Sequence, residues 1–400
     1  MTAEDFSNDV VVIGGCGHVG LPLGIALADR GLRTVLYDTA DHSVKLVNDT
    51  VMPFDERGAQ EVLDRVIADG RLRASTDPAV VGTARHVIVV IGTPVDEHLN
   101  PDPQAIPRAL GLCAEYLTDG QIIILRSTVY PGVTALVEKM VAKLGRDIDV
   151  AFCPERIAEG RAMTELYTLP QIVSSRTARG RARAEALFRH LTDKVVHLEP
   201  EEAELAKLFT NTWRYIKFAT ANQLYMFAND FGLDYERIRT ALAYEYPRAA
   251  DLPAAGFAAG PCLFKDTMQL AAFNKNNFAL GHAAMLVNEG LPLYIVGKLE
   301  ERYDLSTMTV GILGMAFKAE SDDTRSSLSY KIKRLLQFKA DTVLCTDPYV
   351  TTDPNLVPLS EVLERADLLI IGAPHKVYAD LEPTVPVVDV SNLLGRGVRV

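Results

Sequence analysis

The sequence has 400 residues, of which 48% are hydrophobic and 23% are charged. This length predicts two or three domains, and the composition is typical of a globular protein and excludes a disordered chain. With 41 basic and 52 acidic side chains the net charge is −11, which argues against nucleic acid as a partner and leaves only local sites for anions.

The longest uncharged run, residues 10–28, has the length of a membrane span. It contains five glycines, Pro22 and His18, and it follows the acidic segment MTAEDFSND, whereas a signal peptide needs a positive start. We therefore expect neither export nor membrane insertion. Five scattered cysteines without a CxxC pair predict no disulfide framework and no metal site, so we expect a cytoplasmic protein with free thiols.

The first half of the chain alternates short apolar runs with amphipathic stretches. The predicted strands are 10–13, 34–37, 86–91, 121–125, 149–153, 171–174 and 195–198, and the predicted helices are 21–30, 59–69, 106–117 and 133–144. This alternation of strand and helix predicts a doubly wound α/β sheet.

A glycine-rich motif, GCGHVG, follows the first strand and opens the first helix. Gly15 would make the turn, Gly17 would let the backbone approach a pyrophosphate, and Gly20 would let helix pack on strand. Asp38 ends the second strand, where it would bind a ribose diol and repel a 2′-phosphate, which favours NAD over NADP. The alternative is a glycine-rich turn without a ligand. The other cofactor residues predicted in the motif are His18 and Val19.

Polar residues follow three later strands of the predicted sheet. Ligands of such sheets bind beyond the carboxyl ends of the strands, so these side chains are candidate site residues. Each of them could instead be a helix cap or a turn residue. They are Thr93, Thr128, Glu155, Arg156 and Glu159.

The pattern changes at about residue 200, where one long helix is predicted to run to about 231. Lys207 and Asn211 lie four residues apart and therefore share a helix face. An ammonium and an amide together could stabilise an alkoxide, although Lys207 could equally be a solvated surface lysine. A loop rich in Pro, Gly and Ala is predicted at 246–264 and a second helical region at 266–303.

Cys262 stands in the sequence GPCLFKD within that loop. A thiolate is the nucleophilic form of cysteine, and a cation such as Lys265 lowers the pKa of a neighbouring thiol. Asp266 could position or activate water. A buried structural cysteine beside a helix capped by Asp266 is an equally open interpretation.

Strand and helix alternate again in the last quarter. The predicted strands are 309–313, 342–345, 368–371 and 387–390, and the predicted helices are 327–338 and 359–366. This pattern predicts a second, smaller α/β domain.

Six sequence blocks, taken together and in order, resemble the NAD-dependent nucleotide-sugar 6-dehydrogenases. The blocks are GCGHVG, RSTVYPG, CPERIAEG, AKLFTNTWR, GPCLFKD and GMAFKAESDDTRSS. The resemblance implies two Rossmann-like domains joined by a long central helix and a helical dimerisation region. It implies an NAD-binding domain at 1–199, a central region with the cysteine loop at 200–304 and a UDP-sugar-binding domain at 305–400.

The resemblance also implies a four-electron oxidation of a sugar C6 alcohol to a carboxylate with two NAD in turn. Cys262 would be the nucleophile, Lys207 and Asn211 would bind the C6 oxygen, and Asp266 with Thr128 would handle water. Glu155 and Glu159 would line the sugar and nicotinamide sites. Further positions are implied near the cofactor, Lys265 and Arg325, and near the substrate, Arg156, Arg248, Gly260 and Lys318.

The choice of substrate depends on less distinctive residues. The YPR at 246–248, the NTWR at 211–214 and the PER at 154–156 resemble the N-acetylhexosamine branch, so we expect UDP-N-acetylmannosamine or UDP-N-acetylglucosamine, with UDP-glucose second. Arg248 would clamp a diphosphate or sugar, or it is a surface arginine. Three positions depart from the family pattern: Gln223, Ala259 and Phe264.

Two other functional classes stay open. A two-electron β-hydroxyacid-type dehydrogenase shares the Rossmann domain, the long helices and a Lys/Asn pair but needs no cysteine. A catalytically silent nucleotide-binding regulator is disfavoured by the catalytic residues that are present.

The long helix also predicts a homodimer, through its apolar and aromatic residues Phe209, Trp213, Phe218, Tyr225 and Phe227. The alternative is a helix that bridges two domains of one subunit.

Overall fold

The computed structural model describes residues 6–93, 95, 96, 98, 100–397 and 400. The chain divides into a first unit, Met1–Phe209, and a second unit, Thr210–Val400. The first five residues of the acidic segment that precedes the glycine-rich run lie outside the described residues. The expected three-part division at residues 199 and 304 stays a prediction.

The first unit contains a parallel sheet of buried, largely β-branched strands. The strands are β1 (Asn8–Ile13), β2 (Thr34–Tyr37), β3 (Leu72–Ser75), β4 (Ala84–Val89), β5 (Ile122–Leu125) and β6 (Asp149–Phe152). Their order is β3-β2-β1-β4-β5-β6, and each neighbouring pair is parallel. This is the strand order of a doubly wound dinucleotide-binding sheet, whose topology switches between β1 and β4. The predicted α/β fold class is confirmed.

Helices pack on both faces of this sheet, since alternate residues of β1 enter different hydrophobic cores. The helices are α1 (Gly20–Asp29), α2 (Asp41–Asn48), α3 (Ala59–Ala68), α4 (Ala105–Leu112), α5 (Val133–Leu144), α6 (Ala162–Thr168) and α7 (Ala178–Phe188). Val10 and Val12 pack with residues of α1, α3 and α7, and Val11 and Ile13 pack with residues of α4 and α5. Two short strands on either side of α7 form a separate parallel pair, β7 (Gln171–Val173) and β8 (Val195–His197).

Four described elements of the first unit were not predicted from the sequence: the helices α2, α6 and α7 and the strand β3. The α2 helix is mostly polar and buries only Val44 and Val47 among its described residues. The β3 strand has four residues and lies at the edge of the sheet. Short elements with so few buried residues carry a weak periodic signal.

The long helix predicted after residue 200 is present as α8 (Pro200–Asp230). Its expected interface residues divide into two groups. Trp213 and Phe227 are exposed, at 58% and 56%, but Tyr225 is fully buried and packs in a core of the second unit. Phe218 is half-buried and lines a cavity of that unit. The expectation that Tyr225 lies in an interface is therefore wrong, because this residue packs in the interior of its own chain. The expectation for Phe218 stays a prediction.

Among its described residues, the second unit has five further helices, two of which, the second and the third, stand where the sequence predicted one helical region. They are α9 (Tyr235–Ala243), α10 (Leu263–Phe273), α11 (Ala279–Glu300), α12 (Leu328–Leu336) and α13 (Leu359–Arg365). The predicted region 266–303 breaks after Phe273, where Lys275 and Asn276 have φ of 52° and 58°. This left-handed backbone ends a helix. The α9 helix was not predicted.

The second unit has its own parallel sheet. Its strands are β9 (Thr309–Leu313), β10 (Thr342–Thr346), β11 (Leu368–Ile371) and β12 (Val387–Val388), in the order β10-β9-β11-β12. All neighbouring pairs are parallel, as predicted for a second α/β domain. Among the described residues, no helix combines the length and the apolarity that a membrane crossing requires. The cytoplasmic location stays a prediction.

Candidate active site

The GCGHVG motif forms the turn between β1 and α1, and each glycine has a different reason to be there. Gly15 lies in the turn, and the residue with left-handed backbone is the preceding Gly14, with φ of 75°. A Cβ on Gly15 would lie 2.7 Å from the Leu36 side chain, and one on Gly20 would lie 2.4 Å from the Gly14 carbonyl oxygen. Gly17 is exposed, and a Cβ there would meet only the Gly14 oxygen, at 3.8 Å. Open space at Gly17 is what a bound pyrophosphate needs.

Asp38 follows β2 and reaches across to the same turn. Its Oδ2 accepts a hydrogen bond of 3.0 Å from the backbone N–H of Cys16, and its Oδ1 accepts one of 3.0 Å from Ala40. The carboxylate is thus held beside the glycine turn at the end of β2, where a dinucleotide ribose lies in folds of this topology. The residues present fit an NAD dinucleotide.

The loop after β6 contacts the glycine turn through an ionisable pair. Glu159 Oε1 lies 2.7 Å from His18 Nδ1, and the His18 ring packs on Phe54 with 4.0 Å between ring centroids. Val19 occupies the position before the first turn of α1. The structure therefore brings together two sequence-predicted residues, His18 and Glu159, that are distant in the chain.

The loops that follow β4 and β5 are tied to each other. The Thr93 hydroxyl donates to the Thr128 carbonyl oxygen at 2.5 Å, and the Ser127 hydroxyl accepts from the Ile91 N–H at 2.8 Å. Both predicted threonines thus lie at the carboxyl edge of the sheet, but Thr93 uses its hydroxyl hydrogen within the protein.

Arg126, which was not selected from the sequence as a candidate site residue, pairs with Glu155. The Arg126 guanidinium is buried at the end of β5 and ion-pairs with Glu155, and it also donates to the Cys153 carbonyl oxygen at 3.0 Å. Burial opposes ionisation of Glu155, but the charge and hydrogen bond of Arg126 outweigh it and lower the pKa of the carboxyl. The other Glu155 oxygen accepts from the Arg156 N–H at 2.7 Å.

These bonds bind Glu155 to its own loop. The geometry indicates that Glu155 shapes the segment that carries Glu159. The Arg156 side chain donates to the Pro170 carbonyl oxygen. The sequence held one sign of the Arg126 contact, since Arg126 is the first residue of RSTVYPG and comes directly after an apolar strand.

Cys262 lies at the start of α10, and its side chain is exposed. It occupies the position before the first helical turn, whereas Asp266 is the fourth residue of the helix and is 0% exposed. Asp266 is therefore not the helix cap that the alternative interpretation required. Its Oδ1 lies 2.8 Å from Lys265 Nζ, and its Oδ2 accepts a hydrogen bond from the Asn211 amide of α8.

Three of the predicted catalytic or cofactor residues are thus joined in one buried cluster of the second unit, Asn211, Lys265 and Asp266. Lys207 is half-buried on α8, four residues before Asn211. The pair shares a helix face, as the spacing predicted. The Lys265 ammonium and the Asp266 carboxylate thus lie within four residues of the exposed Cys262 thiol, and the Asn211 amide of α8 is bonded to that carboxylate.

The loop before Cys262 is held by a second residue that the sequence analysis did not select, Asn222 on α8. The Asn222 carboxamide accepts from the Gly256 N–H at 2.9 Å and donates to the Gly256 carbonyl oxygen at 3.0 Å. It also donates to Asn288 of α11 at 3.0 Å. Asn222 and Asn288 are both fully buried. The departure at Gln223 is next to this anchor and leaves it intact.

Gly260 lies against the loop that follows β9. Its φ is 98°, and a Cβ there would lie 2.6 Å from the Phe317 ring. Lys318 Nζ lies 5.3 Å from the centroid of the same ring. Phe317 and Lys318 line a cavity together with Phe218 and Gly256. The second unit thus brings the predicted substrate residues Gly260 and Lys318 to the carboxyl end of its sheet.

Two predicted arginines are less enclosed. Arg325 Nη2 lies 2.6 Å from Asp323 Oδ2, and the arginine side chain remains about half exposed. Arg248 is exposed and stacks on Tyr246 with 4.7 Å from its guanidinium carbon to the ring centroid. The ligand-binding roles of Arg325 and Arg248 stay predictions.

Sequence models of one family match most of the chain. The family is described as UDP-glucose/GDP-mannose dehydrogenase. Its NAD binding domain matches residues 8–192, its central domain residues 201–290 and its UDP binding domain residues 311–396.

Individual proteins are similar over nearly their whole length. UDP-N-acetyl-D-mannosamine dehydrogenase of Pyrococcus horikoshii is 30% identical over 92% of this chain and 90% of its own. A solved structure of the UDP-D-ManNAc dehydrogenase of P. horikoshii has a TM-score of 0.87 at 28% identity, over 94% of this chain and 91% of that one. A UDP-glucose dehydrogenase structure from Pyrobaculum islandicum has a TM-score of 0.89 at 25% identity, over 100% and 98%.

Proposed function

The chain belongs to the UDP-glucose/GDP-mannose dehydrogenase family, and on that basis we propose that it oxidises the C6 hydroxymethyl group of a UDP-N-acetylhexosamine to the uronate. The resemblance that the six sequence blocks indicated is confirmed, as are the oxidoreductase class and the NAD cofactor. The sugar and the roles of individual residues are our proposal.

The observation that carries the proposal is the surroundings of Cys262. It is exposed at the start of α10, and the buried Asp266 lies one helical turn further along, paired with Lys265 and Asn211. A buried carboxylate with two polar partners, next to an exposed thiol, is an arrangement that packing alone does not require.

The chemistry explains why a thiol is needed. An aldehyde has no hydride to give until a nucleophile has added to it. The Cys262 thiolate forms a bond to the C6 aldehyde carbon and gives a thiohemiacetal, whose oxidation yields a thioester. Water then attacks the thioester carbon, the carbon–sulfur bond breaks, and the thiolate leaves. NAD⁺, when bound, accepts one hydride in each oxidation. Overall one alcohol, two NAD⁺ and one water give one carboxylate, two NADH and three protons.

The buried cluster supplies the polar groups for these steps. Asp266 accepts a proton from the attacking water, and Lys265 and Asn211 hold its carboxylate in place. The Lys207 ammonium stabilises negative charge at the C6 oxygen. Gly15, Gly17, Gly20 and Asp38 hold the cofactor at the turn after β1.

The uridine nucleotide has its proposed site in the cavity of the second unit. The cavity is lined by aromatic and small residues with one ammonium, that of Lys318. Ligands of a parallel sheet bind at the carboxyl ends of its strands, and the lining segments follow β9 and β11. The base would meet Phe257 or Phe317, and the phosphates would meet Lys318.

An N-acetylhexosamine is favoured as the sugar because relatives that are 30% and 28% identical to the chain are named UDP-N-acetyl-D-mannosamine dehydrogenases. UDP-glucose is the second candidate, since the P. islandicum UDP-glucose dehydrogenase superposes over the whole chain. The test is NADH formation with UDP-N-acetylmannosamine, UDP-N-acetylglucosamine and UDP-glucose. Two NADH per sugar with one of them is expected, whereas one NADH per substrate would favour a two-electron dehydrogenase.

The position of Asp38 predicts a strong preference for NAD. A carboxylate beside the cofactor ribose repels a 2′-phosphate, so we expect kcat/KM with NAD to exceed that with NADP by roughly 100-fold. Asp38→Asn keeps the acceptor for the Cys16 N–H but loses the charge, and Thr39→Arg supplies a phosphate partner. The double variant should show a smaller ratio of kcat/KM with NAD to kcat/KM with NADP than the wild type. Comparable wild-type activity with both cofactors would contradict the placement of Asp38.

We also propose a homodimer formed by α8. Exposed apolar residues recur on this helix at intervals of three, four and eleven residues, which places them on one face: Phe209, Trp213, Leu224 and Phe227. An exposed apolar stripe on one helix face is a marker of a protein interface. Cyclic dimers pair the same surface of two copies.

The dimer is tested by light scattering at micromolar concentration. The wild type is expected to have twice the mass of one chain. The double variant Trp213→Glu and Phe227→Glu is expected to have the mass of one chain, because two carboxylates would be buried at the interface. Phe338→Glu is the matched control, since Phe338 is 89% exposed and lies beyond the end of α12. A wild-type monomer would refute the dimer.

A further inference from the structure

One buried imidazole joins three strand-end loops of the second unit, and two of these loops line its cavity. His375 follows β11 and is 0% exposed. Its Nδ1 lies 2.9 Å from the backbone nitrogen of Glu320, which follows β9. Its Nε2 lies 3.1 Å from Oδ2 of Asp347, which follows β10. The proposed function gives His375 no role.

The partners of the ring determine its protonation state. A backbone N–H can only donate, so Nδ1 must accept from Glu320 and carries no hydrogen. A carboxylate accepts, so Nε2 carries the hydrogen and donates to Asp347. Burial opposes ionisation of Asp347, but hydrogen bonds from His375 and from the Ala316 N–H outweigh it and lower the pKa of Asp347 to about 2. The arrangement is therefore a neutral imidazole between a backbone amide and a carboxylate.

The two hydrogen bonds of His375 differ in how far other contacts can replace them. Asp347 Oδ2 also accepts from the N–H groups of Met315 at 2.6 Å and Ala316 at 2.9 Å. Its Oδ1 accepts from the Tyr349 N–H at 2.8 Å. Without His375, this carboxylate would keep its backbone donors.

Glu320 depends more strongly on the imidazole. Its φ is 54°, a left-handed conformation that is uncommon for a residue other than glycine. Its N–H donates to His375, and its side-chain Oε1 accepts from the Lys376 N–H at 2.9 Å. Removing the imidazole would take the acceptor from a backbone N–H in a strained segment.

The residues next to these contacts form the wall of the cavity. Lys318 and Ala319 directly precede Glu320, and Pro374 directly precedes His375. All three line the cavity, as do Phe317 and Gly372. The imidazole itself lies behind this wall, so it acts on the cavity only through the backbone that it holds.

We propose that His375 is a positioning residue for the nucleotide half of the substrate, which holds the 318–320 segment and Pro374 in the conformation that binds a uridine diphosphate group. This inference rests on the proposed function, which places that group in the cavity. The Nδ1–Glu320 bond carries the effect, and the Nε2–Asp347 bond fixes the orientation of the ring.

Three substitutions of His375 separate these bonds. His375→Ala removes both. His375→Asn can place a carboxamide oxygen where Nδ1 stands, and so keeps an acceptor for Glu320. His375→Gln can reach Asp347 as a donor but leaves the Glu320 N–H without its acceptor. The matched control is Tyr378→Phe, because the Tyr378 ring packs 5.7 Å from His375 and its hydroxyl has no hydrogen-bond partner among the described residues.

The measurements are the Kd of UDP by calorimetry and the kinetics with the accepted UDP-sugar. We expect roughly tenfold weaker UDP binding and a matching rise in the KM of the UDP-sugar for the Ala and Gln variants. The Asn and Tyr378→Phe variants should stay within about twofold of the wild type. The KM of NAD and kcat at saturation should change little in all four. Selective ¹⁵N labelling of histidine should show a pyridine-type Nδ1 and a pyrrole-type Nε2 for the resonance lost in the Ala variant.

The outcomes distinguish this inference from the proposed function. A wild type that binds no UDP would refute the nucleotide site itself. A wild type and Ala variant that bind UDP equally would refute only the role of His375. A fall in kcat with unchanged UDP affinity, or a protonated imidazolium in the wild type, would also refute it. If His375→Ala does not fold, the UDP affinities of His375→Asn and His375→Gln test the role of the Glu320 bond. Equal UDP affinity of these two variants would contradict that role.

Discussion

Cys262→Ala is expected to lower the rate of uronate formation by several orders of magnitude, because the substitution removes the covalent nucleophile of the second oxidation. UDP-sugar and NAD should still bind, since the Cys262 side chain is exposed and packs in no core. Residual product should be the aldehyde or its hydrate. The measurements are NADH released per sugar and the product mass. The wild type should release two NADH per sugar.

The matched control is Cys345→Ala. Cys345 is buried in the second unit, and burial raises the pKa of its thiol to about 11. Its removal should leave the stoichiometry at two NADH per sugar. Full acid production by Cys262→Ala would mean that the thiol is structural, and the thioester mechanism would then be wrong.

A chemical experiment tests the same thiol without a substitution. Among the five cysteines, all within the described residues, Cys262 is exposed and the others are buried. Burial raises the pKa of Cys16 and of Cys153 to about 12. Iodoacetamide near pH 8 should therefore modify Cys262 first, and loss of activity should follow the first mass adduct. Activity that survives complete modification of Cys262 would contradict its catalytic role.

Asp266→Asn is expected to lower kcat by about 10²- to 10⁴-fold, the usual contribution of a general acid or base. Asparagine has nearly the same shape and can still accept from Asn211, but it cannot take a proton from water or carry the charge that pairs with Lys265. The thioester should then hydrolyse slowly. Rapid-quench mass spectrometry should detect a protein adduct of the sugar that the wild type does not accumulate.

Asp251→Asn is the control for Asp266. Asp251 also pairs with a lysine of the second unit, Lys217, at 3.0 Å, but its side chain is largely exposed. Exposed ion pairs contribute little, so kcat should be unchanged. The thermal unfolding midpoints of both variants separate a loss of catalysis from a loss of structure. A wild-type kcat in Asp266→Asn would eliminate Asp266 as the group that activates water.

The order of strands and helices could be predicted from the sequence because it depends on local periodicity. Short β-branched runs bounded by glycine or proline gave every strand of the first sheet except β3, and the GCGHVG turn and Asp38 were located because the motif requires a strand before it and a helix after it. The second helical region was misread where Lys275 and Asn276 adopt a left-handed backbone, because neither residue type signals that conformation as glycine does.

The buried polar contacts could not be predicted from local periodicity. Arg126 holds Glu155 from 29 residues away, Asn211 meets Asp266 across 55, and His375 meets the Glu320 backbone across 55. The sequence by itself determined which residue types follow the strands and flank the cysteine, because these depend on neighbours in the chain. Only the tertiary structure decided which of them touch, because the distance between side chains on separate elements depends on how helices and strands pack, and a local pattern contains no information on that packing.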